Sequence, residues 1–151
     1  VKEKGYDILY LTENIDEFVV QALMQYEEKK FMNVSDNTLD LSTEELEALN
    51  LKLLTEDVAL DGEVKGGYTS DLLSNVMGQA EPDMVWVTMQ GHQNIAAVAS
   101  LIGLSAVIVA GDAPVAEDTL KKAELNDVVI FATEASAFEV VGKLYELGIG
   151  K

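Results

Sequence analysis

Three short, almost wholly apolar runs, Met84 to Met89 (MVWVTM), Ala106 to Ala110 (AVIVA) and Val128 to Ala132 (VVIFA), constrain this chain more than any other feature. A strand with one face in water alternates apolar and polar residues, so runs without alternation predict strands buried on both faces, as in a parallel sheet. Helical spacing fills the gaps between them. Leu72, Leu73, Val76, Met77 and Ala80 share one helical face ahead of a turn at Glu81 to Asp83, and Asn94 to Leu101 continues as an amphipathic helix. Pro114 sits near the first turn of a helix ending around Ala123. A closing helix from about Ser136 to Leu147 carries Phe138, Val141, Leu144 and Tyr145 on its inner side. Strands alternating with helices of about ten residues predict an α/β fold, a mainly parallel sheet flanked by helices on both faces.

The amino-terminal part restarts the pattern on a smaller scale. Asp7 to Leu11 reads as a strand, Asn14 and Glu17 have capping-box spacing, and Phe18, Val19, Ala22, Leu23 and Tyr26 recur at helical intervals before a second strand at Lys30 to Val34. This βαβ unit, residues 1–41, is expected to dock on the sheet of residues 42–151, because a unit of that length is close to the lower limit for an independent core. Ser42 is placed to cap a new helix, with Glu45 at its third position and Leu41 stapled against Leu46. Leu51 to Leu54 is a short strand. The irregular stretch after it ends in Gly66 and Gly67, a pair that marks a tight or closely packed backbone ahead of the next helix.

Composition narrows the function classes. All ten basic residues are lysine and the formal net charge is −17, a field that repels nucleic acids and anionic membranes, with no arginine fork for phosphate. The apolar fraction of 48% fills a core, yet no apolar run approaches the roughly 20 residues of a membrane span. The chain contains no cysteine, which excludes disulfides and thiolate metal sites and accords with a cytoplasmic setting. Neither nucleic acid nor membrane is an expected partner.

If the strands are parallel, three loops share the carboxyl edge of the sheet: Gln90 to Asn94, Gly111 to Pro114 and Thr133 to Ser136. Ligands of open α/β sheets bind at that edge, so Gln90, His92, Asn94, Asp112, Thr133 and Glu134 are the candidate ligand-binding residues. His92 beside Asp112 or Glu134 has the makings of a general base. The spacing matches no catalytic signature, and polar residues at helix starts more often serve as caps. No GxSxG elbow frames a serine, and one histidine with scattered carboxylates makes no metal set, so neither a catalytic residue, a metal nor a cofactor is assigned. The turn Gly66 to Thr69 is neither a P-loop nor GxGxxG, and Asp71 behind it would repel phosphate.

Two family resemblances lie along the chain. The segments EALNLKLL (47–54), VKGGYTSDLLSNVM (64–77), WVTMQGHQNIAAVASL (86–101) and AFEVVGKLYELGI (137–149) resemble the DRTGG-domain family over about residues 45–149. Of the eponymous motif only Gly66 and Gly67 stand; Glu63, Val64 and Lys65 replace Asp, Arg and Thr. That resemblance implies an α/β module of regulation or association, found beside nucleotide-sensing domains in regulated pyrophosphatases. KGYDILYLTENIDEFVVQALMQYEEKKFMNVSDNTLDL (4–41) resembles instead the middle region of the bacterial high-temperature protein G heat-shock chaperones, without their nucleotide-binding domain. The junction near Ser42 to Glu47 is abrupt, as in a chimera.

The expected function is therefore a non-catalytic regulatory or oligomerisation module that pairs as a homodimer and takes a small-molecule ligand at the sheet edge. The alternatives are an engineered chimeric scaffold with no selected function and an enzyme using His92 with Asp112 or Glu134.

Overall fold

A computed structural model describes residues 25–26, 29–30, 41–43, 46, 49 and 51–150. The chain divides into two compact units, Val1–Asn37 and Thr38–Lys151. In the first, β1 (Gln25–Tyr26) pairs antiparallel with β2 (Lys29–Lys30), Tyr26 opposite Lys29. Tyr26 is thus a strand residue and not the end of the expected helix. Strands that close in sequence have no room for the crossover that a parallel pair requires, so antiparallel pairing follows. The expected strand at Asp7 to Leu11, the helix from Asn14 to Leu23 and residues 31–34 lie outside the described residues.

The second unit opens with β3 (Leu41–Ser42), which pairs antiparallel with β5 (Glu63–Val64). Leu41 and Ser42 are therefore extended, and the helical conformation begins at Thr43, directly after the expected cap. The Thr43 N–H donates to the Gly62 carbonyl at 3.0 Å, and Leu46 is completely buried.

The main sheet contains β4 (Lys52–Leu53), β6 (Gly66–Thr69), β7 (Met84–Thr88), β8 (Ala106–Val109) and β9 (Ile130–Ala132), in the spatial order β4-β9-β8-β7-β6. β6 to β9 are mutually parallel, and β4 closes the far edge antiparallel to β9. Among the described residues it is accompanied by the helices α1 (Leu73–Gln79), α2 (Asn94–Ile102), α3 (Glu117–Glu124) and α4 (Ala137–Glu146). The mainly parallel α/β sheet predicted from the three apolar runs is what forms.

Successive strands in spatial order, joined by right-handed crossovers, send every crossover helix to the same side. Accordingly Val76 of α1, Ile95, Ala96 and Ala99 of α2 and Ala123 of α3 pack with Trp86, Val107, Val109 and Ile130 on one face. The alternate strand residues, Val85, Val87, Ala106, Ile108 and Phe131, meet Leu46, Val64, Val140, Leu144 and Ile149 on the other. α4 is the one helix after β9, and it folds back across this second face toward β6 and β7.

Several details differ from expectation. α3 begins at Glu117, with Ala116 as its extended N-cap residue, so Pro114 lies in the loop ahead of it. On α1 only Val76 is fully buried, while Leu72 and Met77 are exposed. On α4 the inward residues are Val140 and Leu144; Phe138, Val141 and Tyr145 face out. This helix carries two apolar stripes of equal periodicity, and the sheet takes one. The glycine pair forms no turn: Gly66 and Gly67 are edge-strand residues opposite Met84 and Val85. Close packing explains Gly67, where a Cβ would stand 3.3 Å from Ile149 Cγ2.

Candidate functional site

Parallel pairing places the ends of β7, β8 and β9 at one edge, so the loops 89–93, 110–116 and 133–136 lie there together. The loop after β8 leads to α3 on one face and the loop after β9 to α4 on the other. Adjacent strands whose connections part in this way create the crevice in which α/β sheets hold ligands. Asp112, Thr133 and Glu134 border it. Here the two loops are laced across the gap, since the Gly111 N–H donates to the Ala135 carbonyl at 2.8 Å and the Asp112 N–H to the Thr133 carbonyl at 3.0 Å. Gly111 and Asp112 are both left-handed, φ 70° and 53°, a pair of conformations that turns the chain sharply at the strand end.

The loop after β7 is tied to the start of α3. The Gly91 carbonyl accepts from the Ala116 N–H at 3.2 Å and from the buried Thr119 hydroxyl at 2.8 Å. A Cβ on Gly91 would fall 1.9 Å from the Pro114 carbonyl oxygen, so only glycine permits this approach. Around it Gln90, His92 and Asn94 are exposed. Asn94 is the first residue of α2, which has no side-chain cap, so the capping role expected of this loop is absent. Among the described residues no hydrogen bond or ion pair joins His92 to Asp112 or Glu134, and no cluster of acids and histidine is arranged to hold a metal.

Sequence reasoning missed the residues that fix this edge. One Asp71 carboxylate oxygen accepts from the buried Thr88 hydroxyl at 2.8 Å and from the Met89 N–H at 2.7 Å, fastening the end of β6 to the end of β7. Asp71 precedes α1 and is not in its first turn. The Trp86 indole N–H reinforces the same corner by donating to the Ser70 carbonyl at 2.8 Å. The available signal was the chemistry of Thr88, the one polar residue in an otherwise buried run. Glu139, at the start of α4, has its carboxyl held below the ordinary range, first by the Ser136 hydroxyl at 2.7 Å and then by the Ser136 N–H.

The edge is acidic. Asp71, Asp112 and Glu134 are exposed on it, with Glu117 and Asp118 at the head of α3. Lys121 answers Glu117 at 2.6 Å one turn further along, an exposed pair that raises the lysine and lowers the glutamate through their mutual hydrogen bond and charge.

Comparison with known proteins finds a family likeness over the amino-terminal part of the chain and a fold likeness over most of it. The Hsp90 protein family matches residues 1–71. Chaperone protein HtpG of Shouchella clausii is 43% identical over 82 residues, 50% of this chain and 13% of that protein. HtpG of Clostridium acetobutylicum is 41% identical over 81 residues, with the same shares of each chain. The chain thus spans a small part of the chaperones it resembles. Their likeness continues past Leu41, where it was expected to stop, and takes in β3 to β6. In three dimensions the chain is similar to the CBS and DRTGG domains of the regulatory region of Clostridium perfringens pyrophosphatase, complexed with the activator diadenosine tetraphosphate. The TM-score is 0.54 at 13% identity, covering 87% of this chain and 56% of that one. The amino-terminal region is Hsp90-like and the fold is shared with a CBS/DRTGG structure, as the two resemblances implied. Among the described residues no helix is long and apolar enough to cross a membrane.

Proposed function

We propose that Thr38–Lys151 is a non-catalytic regulatory and self-associating module that binds a small ligand at the carboxyl edge of its sheet, through Gln90, His92, Asn94, Asp112, Thr133 and Glu134. The observation that carries this reading is the fold likeness to the regulatory region of a pyrophosphatase. The diverging loops after β8 and β9 support the location. Electrostatics sets the ligand class. The pyrophosphatase region binds a polyphosphate, but this edge offers Asp71, Asp112 and Glu134 with no arginine in the chain, and like charges at close range cost several kcal/mol, roughly. An uncharged or cationic molecule suits it better.

Thermal unfolding of the full chain with uncharged nucleosides, cationic amines and diadenosine tetraphosphate tests this directly. A saturable rise in Tm with a member of the first two groups is expected, because a ligand that binds only the native state stabilises it by mass action. No rise with any compound, or a rise confined to the polyphosphate, would contradict it.

A second reading has its own support. The Hsp90 match covers residues 1–71 while the fold is that of a different kind of protein, as in a chimeric scaffold without a selected ligand. It expects a flat Tm throughout the same screen.

A further inference from the structure

The outward stripe of α4 is apolar where a surface helix is normally polar. Phe138 is 88% exposed, Tyr145 54% and Val141 37%, and with Gly142 they occupy positions i, i+7, i+3 and i+4 of one helical face. Beside this stripe lies a cleft of about 140 Å³ lined by Gly67, Val87, Val141, Leu144, Tyr145 and Ile149. Its floor is the strand edge at Gly67, kept low by the missing side chain. An apolar cavity of about 150 Å³ accommodates benzene, so this cleft has the size of one aromatic ring.

A two-fold interface must be self-complementary, with knob and hole on the same patch. This patch has both. When two copies of α4 cross antiparallel at Gly142, Phe138 of one lies level with Tyr145 of the other, over the cleft. Gly142 suits the crossing point: a Cβ there would meet nothing within 4 Å in the single chain, so the glycine serves no contact within it. Glycine inside a helix is otherwise unfavourable.

We propose that the chain forms a two-fold dimer through α4, crossing at Gly142, with Phe138 of each copy seated in the other's cleft. This deepens the self-association part of the proposed function and is independent of ligand binding. The occupant is a second copy because the ring that fits the cleft projects from the same helix. With a net charge of −17 on each chain, the two copies repel, and added salt screens that repulsion.

Sedimentation equilibrium of the full chain, from the micromolar into the millimolar range and at low and high salt, reads the association. A dimer that tightens with salt is expected. Phe138→Ser should weaken it by at least about tenfold, as loss of a central aromatic anchor does. Gly142→Leu should abolish it while leaving Tm unchanged or raised, which separates interface loss from misfolding. A monomer at all concentrations, or a dimer indifferent to both substitutions, would overturn the inference. So would uptake of anilinonaphthalene sulfonate into the cleft of a persistently monomeric chain, which would assign the cleft to a small apolar ligand. A dimer with no ligand response would leave this interface standing while removing the ligand site.

Discussion

Gly91 shows how much of the candidate site rests on single residues. Its carbonyl receives two hydrogen bonds from the α3 region, and its Cα lies against the 114–115 backbone. Gly91→Ala must push the Pro114 carbonyl away and weaken both bonds; urea unfolding should show a loss of about 1–3 kcal/mol, the usual cost of overpacking. Gly78→Ala is the control. Nothing stands within 4 Å of a Cβ there and the residue is helical, so it should gain roughly 0.5–1 kcal/mol. Equal effects at the two glycines would contradict the close approach. The sequence placed Gln90, His92 and Asn94 on a loop at the sheet edge, since apolar run and helix bracket them. It did not reveal that Gly91 is the fastening point, because the partner backbone lies more than twenty residues further along the chain.

At the scale of elements, α4 begins with a complete capping box. The Ser136 hydroxyl accepts from the Glu139 N–H at 3.3 Å, and the Glu139 carboxylate accepts from the Ser136 N–H at 2.9 Å. Ser136→Ala should destabilise the chain by about 1 kcal/mol. Because the folded-state pKa of Glu139 is lowered, its contribution is fully present above the unfolded carboxyl value and fades as the pH falls through the lower, folded one. The difference between wild type and Ser136→Ala, followed by chemical denaturation from neutral pH downward, should therefore shrink in acid; a constant difference would contradict the linkage. β4 makes a second case. The buried Thr55 hydroxyl accepts from the Ile130 N–H at 3.0 Å, satisfying β9 just beyond the last strand residue of β4. Thr55→Val leaves that amide unpaired and should cost about 1–3 kcal/mol in the same assay. The start of α4 was legible because its cap at Ser136 is local, whereas α1, α2 and α3 begin without a side-chain cap. Helix faces were less so: Val140 with Leu144 and Phe138 with Tyr145 have the same kind of spacing, and only the sheet distinguishes them. The glycine pair was legible as a tight or closely packed backbone but not as part of a strand, since that pairing is supplied by Met84 and Val85 from afar.

The whole molecule follows from the order of its strands. Strands β6 to β9 lie side by side in chain order, their crossover helices cover one face, and α4 packs with the helical residue Leu46 on the other, which sets the crevice between β8 and β9. The fold class was legible because three almost wholly apolar runs separated by helices admit little besides a parallel sheet. The antiparallel strand β4 was legible as a strand but not in its direction, which a sequence of two paired residues does not encode. Amide chemical-shift mapping of the full chain, titrated in turn with uncharged nucleosides, cationic amines and diadenosine tetraphosphate, reads the proposed ligand site directly. Saturable shifts concentrated at Gln90 to Asn94, Gly111 to Ala113 and Thr133 to Ala135, produced by an uncharged or cationic compound, are the predicted result. Shifts that centre on the α4 cleft instead, or that no compound produces, would contradict a ligand site at the carboxyl edge.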